Sequence, residues 1–207
     1  MSTLVSSLDH ELKNMNDAYF NYINEHIENV KNAYSKIKNI LIRKNTSLNN
    51  ESLISALEYL DKIIQFHDSS KYEDAEFDAY RRKFYPTYLE KKDNENEDIM
   101  KEVDENFELA WQHHYKNNNH HPKHWVDIED GKSISDMKKH DMDFSSIIEM
   151  ICDWEAMSMK FHGNTIDWFL HKSKDERDCM TENTLKNTEY LLRIIYDFNE
   201  EFKYEDR

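Results

Sequence analysis

Adjacent imidazole and carboxylate side chains at His67-Asp68 can grip one divalent cation between them, and the chain supplies further ligand types on either side of the pair. Downstream, the stretch AWQHHYKNNNHHPKHW carries His113, His114, His120, His121 and His124. Packing alone rarely calls for such a density of histidine. The chemistry these residue types suggest is metal binding, since neutral imidazole is the commonest protein metal ligand.

The elements that must position these groups read as helices. Leu12, Met15, Tyr19, Tyr22, Ile23, Ile27, Val30, Tyr34, Ile37 and Leu41 recur at steps of three and four, with His26 inside the apolar stripe, and the polar SLNN stretch is expected to close that helix. Leu53, Ile54, Leu57, Leu60, Ile63 and Ile64 define a second helix that delivers His67 at its end. A third, from about Glu73, is interrupted at Pro86, and the charged KKDNENED run reads as a solvated connection. Ile99, Val103, Phe107, Ala110 and His114 share one face of the next helix, so His114 points inward in preference to His113. NNNHHP ends it. An irregular excursion around Asp130-Gly131 leads to a helix marked by Phe144, Ile147, Ile151, Trp154 and Phe161, which carries Glu149 and Asp153 one turn apart, with Gly163 as its left-handed cap. A short helix near Trp168 and a final one through Leu185, Leu192, Ile195, Phe198 and Phe202 complete the expected core.

Composition narrows the class. Two glycines and two prolines in 207 residues leave little material for hairpins or phosphate-cradling loops, and the expectation is an all-α protein. No repeat or linker divides the sequence, so one helical domain over 1–207, with a core over roughly residues 8–202, is expected. A formal net charge of -15 argues against a groove for duplex nucleic acid, which needs clustered Lys and Arg. Two cysteines are too few for a disulfide framework, and neither a secretory leader nor a membrane span is visible. The expected location is cytoplasmic, in a bacterium or, for a phage-encoded protein, its host. The richness in Asn, Lys, Ile, Tyr and Glu agrees with an AT-rich coding sequence.

The order of the candidate ligands resembles that of the HD superfamily of metal-dependent phosphohydrolases. Carrying the resemblance are His26 on an early helix, the pair in FHDSSK, a later histidine group and Asp153 in ICDWEAMS, over roughly residues 25–160. HIENV, HDSSKYEDAEF, AWQHH followed by NNNHHPKHW, and IIEMICDW are similar to a family of small phage and bacterial proteins with an HD-like pattern. The resemblance implies a single-domain HD-like helical bundle in which His26, His67, Asp68 and Asp153 hold one divalent ion. It further implies His114 as the favoured ligand of a second ion, with His113, His120 and His121 as alternatives. The ions weighed are Mn, Mg, Zn, Ni and Fe. Lys71, three residues after Asp68, matches a position where several HD enzymes carry a lysine near substrate phosphate, and a cation there suits developing phosphoryl charge.

The implied reaction is hydrolysis of a small phosphorylated substrate, a nucleotide or cyclic nucleotide, by metal-activated water. Asp68 would bridge two ions or orient the nucleophile, and His113 or His120 would protonate the leaving oxygen. Two other readings share the ligand order: an HD-like di-iron oxygenase, and a non-catalytic phage protein that binds a nucleotide or a host protein. Lys71 could instead be a surface lysine paired with Glu73 or Asp74.

Overall fold

Apolar steps of three and four become helix along most of the chain. The computed structural model describes residues 2–45 and 51–204, and among these it forms nine α-helices and no strand. In chain order they are α1 (Ser2–Asn45), α2 (Glu51–Ile63), α3 (Phe77–Phe84), α4 (Tyr88–Asp93), α5 (Glu97–Asn117), α6 (Phe144–Lys160), α7 (Thr165–His171), α8 (Lys174–Asp178) and α9 (Glu182–Tyr196). Short 3-10 turns at Ile64–Phe66, Ser69–Tyr72, Pro122–Trp125 and Ile134–Asp136 fill some of the connections, and one isolated antiparallel bridge joins Val126 to Lys139. The SLNN stretch lies outside the described residues. No helix among those described is long and apolar enough to cross a membrane.

Contacts divide the chain into two units, each discontinuous in sequence: Met1–Glu25 with Asp68–Asn117, and His26–His67 with Asn118–Arg207. In the first unit an aromatic cluster does the packing. Tyr19, 1% exposed, lies 5.1 Å from Phe77 and 5.6 Å from Tyr85 between ring centroids, and Tyr80 meets Phe107 edge-on at 5.0 Å. Between α3 and α4, Pro86 removes a helical donor, and Thr87 restarts the helix with a reciprocal capping box to Glu90. Arg81 holds both oxygens of Glu90 at 2.5 and 2.8 Å.

The second unit owns the large aliphatic core. Val30, Ala33, Ile37 and Leu41 of α1 meet Leu53, Leu57 and Leu60 of α2, Ile147, Ile148 and Ile151 of α6, Phe169 of α7, and Leu191, Leu192 and Ile195 of α9. Side chains cap the entries to α6 and α9: Asp143 accepts Ser146 N–H at 2.8 Å, and Thr181 accepts Thr184 N–H at 3.0 Å. After α6 the left-handed residue is His162, φ 54°, rather than the Gly163 expected from sequence. The turn closes one position earlier because Phe161 N–H already bonds Met157 O as the helix cap.

The Arg81–Glu90 fork sets a pH dependence. Burial pushes the Glu90 carboxyl up, but the Arg81 guanidinium and the Thr87 donors outweigh it and hold it at about 2, below the usual 4.5. A depressed carboxyl stabilises the fold above its unfolded pKa and loses that contribution as pH falls through the folded one. Glu90→Gln is therefore expected to cost about 1–2 kcal/mol at neutral pH, discounted because the pair is partly solvated. The difference from wild type in urea unfolding should shrink steadily from pH 4.5 to pH 2, and a pH-independent difference would contradict the assignment.

Candidate metal centre

In the second unit, four pieces of chain deliver ligand-type side chains. His26 lies on α1. His67 follows the 3-10 turn that ends α2, and its φ of -48° with ψ of 131° takes the chain out of helix. His120 and His121 precede Pro122, which opens the next 3-10 turn. Glu149 and Asp153 sit one turn apart on the same face of α6.

These residues converge. His26 Nε2 lies 3.2 Å from Asp153 Oδ1, and His67 Nε2 lies 4.0 Å from the same oxygen. Ring centroids are 5.3 Å apart for His26 and His67, 4.3 Å for His67 and His120, and 4.2 Å for His120 and His121. One ligand atom from each of His67, His120 and Asp153 falls within 4.8 Å of the others. Bonds of about 2.0–2.2 Å to one tetrahedral ion put its donors about 3.3–3.6 Å apart, so these atoms would draw inward around it. His26, His67 and His120 are buried and Asp153 is half-buried. A set of three imidazoles and one carboxylate fits a borderline transition ion such as Zn or Fe better than Mg, which prefers oxygen.

Glu149 is the residue that sequence reasoning left without a role. Only 4% exposed, it places Oε1 2.9 Å from His67 Nδ1 and 3.5 Å from His120 Nδ1. The signal was present in FSSIIEMICDW: every residue from Ser146 to Cys152 is buried, so a glutamate among them must find a polar partner in the protein.

The first unit holds a second polar cluster. Asp68, 2% exposed, adopts the left-handed conformation, φ 54° and ψ 20°, at the head of the 3-10 turn Ser69–Tyr72. Aspartate tolerates that region better than most residues, and such backbone strain collects at functional sites. Lys71 Nζ donates to Asp68 Oδ2 at 2.6 Å, so the lysine pairs with Asp68, and Asp68 Oδ1 lies 3.3 Å from His114 Nε2. Glu76, fully buried, stands with Oε2 2.8 Å from His114 Nδ1 and Oε1 2.8 Å from His113 Nδ1. Burial pulls the His114 pKa down, but Asp68 and Glu76 outweigh it and the net direction is up. Burial likewise raises Glu76, and its bonds with His114, His113 and Ser70 bring it below the usual carboxylate range.

Of the residues singled out from sequence, His26, His67, His120, His121 and Asp153 thus gather in the second unit, and Asp68, Lys71, His113 and His114 in the first. His124 is exposed and packs edge-on against Trp125. Glu76, like Glu149, had no role in the sequence reading, because with Glu73, Asp74 and Asp78 close by it reads as one more carboxylate of a solvated acidic run. Its replacement by Ala strands two imidazoles and is expected to destabilise the fold by about 3–5 kcal/mol, as for removal of one partner from a buried ionic group. Urea unfolding measures this, and a loss below about 1 kcal/mol would show that Glu76 does not hold the cluster.

Comparison with known proteins yields no match among curated proteins and none among solved structures. One family model does match, over residues 15–194, most of the chain, and its description is a family of unknown function, DUF5662. The chain belongs to that family.

Proposed function

We propose that this protein is a cytoplasmic metal-dependent phosphohydrolase acting on a nucleotide or cyclic nucleotide. The observation that carries the reading is the buried, imidazole-rich group of His26, His67, His120 and Asp153, whose members come from distant parts of the sequence. Burying so many titratable side chains within ligand distance is costly unless they share a cation. A divalent ion held there supplies Lewis acidity toward a phosphoryl oxygen and lowers the pKa of water. The chain's own residues hold and orient: His26, His67, His120 and Asp153 fix the ion's position, and on the resemblance of the sequence alone Asp68, next in sequence to His67, is the carboxylate that would orient the nucleophile. Lys71 is the proposed cation for phosphoryl oxygens. Its ammonium rests on Asp68 and lies 5.9 Å from the Tyr80 ring centroid, an arrangement that keeps a flexible side chain ready at low entropic cost.

The test joins elemental analysis of the purified protein to a phosphate-release screen over nucleoside monophosphates, deoxynucleotides and cyclic nucleotides. About one transition ion per chain, together with release that a chelator abolishes, is the expected result. Metal-free protein without turnover would overturn the reading, and bound iron with oxygen consumption would replace it with oxygenase chemistry. Lys71→Ala should keep its metal and lose about 10²-fold or more in turnover. Unchanged kinetics at matched metal occupancy would leave Lys71 as a purely structural partner of Asp68.

A further inference from the structure

Glu149 is a buried carboxylate one helical turn from Asp153, and it does not share the site's Nε2 side. The oxygen that it offers His67 faces Nδ1, at 2.9 Å, while His67 Nε2 faces Asp153 Oδ1 at 4.0 Å. The same oxygen stands 3.5 Å from His120 Nδ1, beyond a strong hydrogen bond but well within electrostatic reach. His67 and His120 rings lie 4.3 Å apart at 34°, so both imidazoles turn one nitrogen toward a single carboxylate atom. We propose that Glu149 is a positioning residue that fixes His67, and with it His120, as the Nδ1–H tautomer, leaving the Nε2 lone pairs to a cation.

The physical case is a matter of which proton sits where. A neutral imidazole has one N–H and one lone pair, and the nitrogen that donates to a carboxylate is the one that carries the proton. A carboxylate that cannot reach water must accept hydrogen bonds, so His67 is compelled to present N–H at Nδ1. Glu149 has nowhere to move: its own helix is buried on every side through Ser146–Cys152. His67 is equally confined, with its side chain fully buried. The rings are therefore aligned before any ion arrives. A carboxylate that accepts the Nδ1–H also makes the imidazole a better electron-pair donor at Nε2, the usual effect of a carboxylate behind a histidine ligand. One carboxylate serves two rings, so its loss disturbs both together.

This inference rests on the metal reading only in its second half, and the experiment separates the two. In metal-free wild-type protein at mildly alkaline pH, nitrogen NMR of labelled histidine should show His67 and His120 protonated at Nδ1 and bare at Nε2. An Nε2–H tautomer at His67 overturns the proposal whatever the protein binds. Zn2+ affinity, measured by competition with a chromophoric chelator, should fall about 10–100-fold in Glu149→Leu, which fills the buried position but offers no acceptor. Glu149→Gln keeps an acceptor oxygen without the charge and should preserve the His67 tautomer while weakening Zn2+ binding about 10-fold. Affinity within twofold of wild type in both variants, with unfolding transitions that show them folded, contradicts a positioning role. Wild-type protein that binds no Zn2+ yet shows the Nδ1–H tautomer would refute the metal reading and sustain the tautomer assignment.

Discussion

Carboxylates buried in helical protein need cationic or N–H partners, and that requirement organises both polar clusters of this molecule. Glu149 and Glu76 are 4% and 0% exposed, and each turns toward the Nδ1 atoms of two histidines. Leaving either without a partner would cost more than any one apolar contact in the surrounding core returns. One histidine of each pair has a clear direction: His67 turns its Nε2 toward Asp153 in one unit, and His114 turns its Nε2 toward Asp68 in the other. The carboxylate–imidazole–carboxylate chain recurs in both units.

The core around the second cluster explains how such costs are met. The aliphatic packing of α1, α2 and α9 surrounds α6, whose residues from Ser146 to Cys152 are all buried, Glu149 among them. Hydrophobic burial of that extent fixes the backbone, and the polar side chains then occupy positions from which they cannot relax toward solvent. Asp68 adds a backbone contribution: its left-handed conformation lets the chain leave one 3-10 turn at His67 and enter another at Ser69 without an intervening loop. Asparagine is the substitution that would keep this geometry best.

Much of this was legible in the sequence, and for identifiable reasons. The helices follow from three-and-four spacing, and the near absence of glycine left no competing architecture. His26, His67, Asp68 and Asp153 could be marked as one set by the resemblance of their order to that of HD enzymes and by their places in or at the ends of apolar runs; of these, His26, His67 and Asp153 gather in the second unit. The inward turn of His114 followed from its register with Val103 and Ala110, both buried. Glu149 escaped because a glutamate in a helix is read as surface unless the whole helix is known to be buried, and Glu76 because it stands in an acidic run just ahead of α3. His120 escaped a firm assignment because it stands in a loop, where periodicity gives no direction. The left-handed residue after α6 was assigned to Gly163 on chemistry alone, and the hydrogen bond of Phe161 to Met157 moved it to His162.

His67, His120 and Asp153 are proposed to surround a transition ion, with His26 beside them. Crystals grown with Zn2+ and measured on either side of the zinc absorption edge test it most directly. One strong anomalous peak is expected about 2.0–2.2 Å from His67 Nε2, an imidazole nitrogen of His120 and a carboxylate oxygen of Asp153. A peak bound only at exposed residues such as His124 or His140, with the buried group left empty, would contradict it.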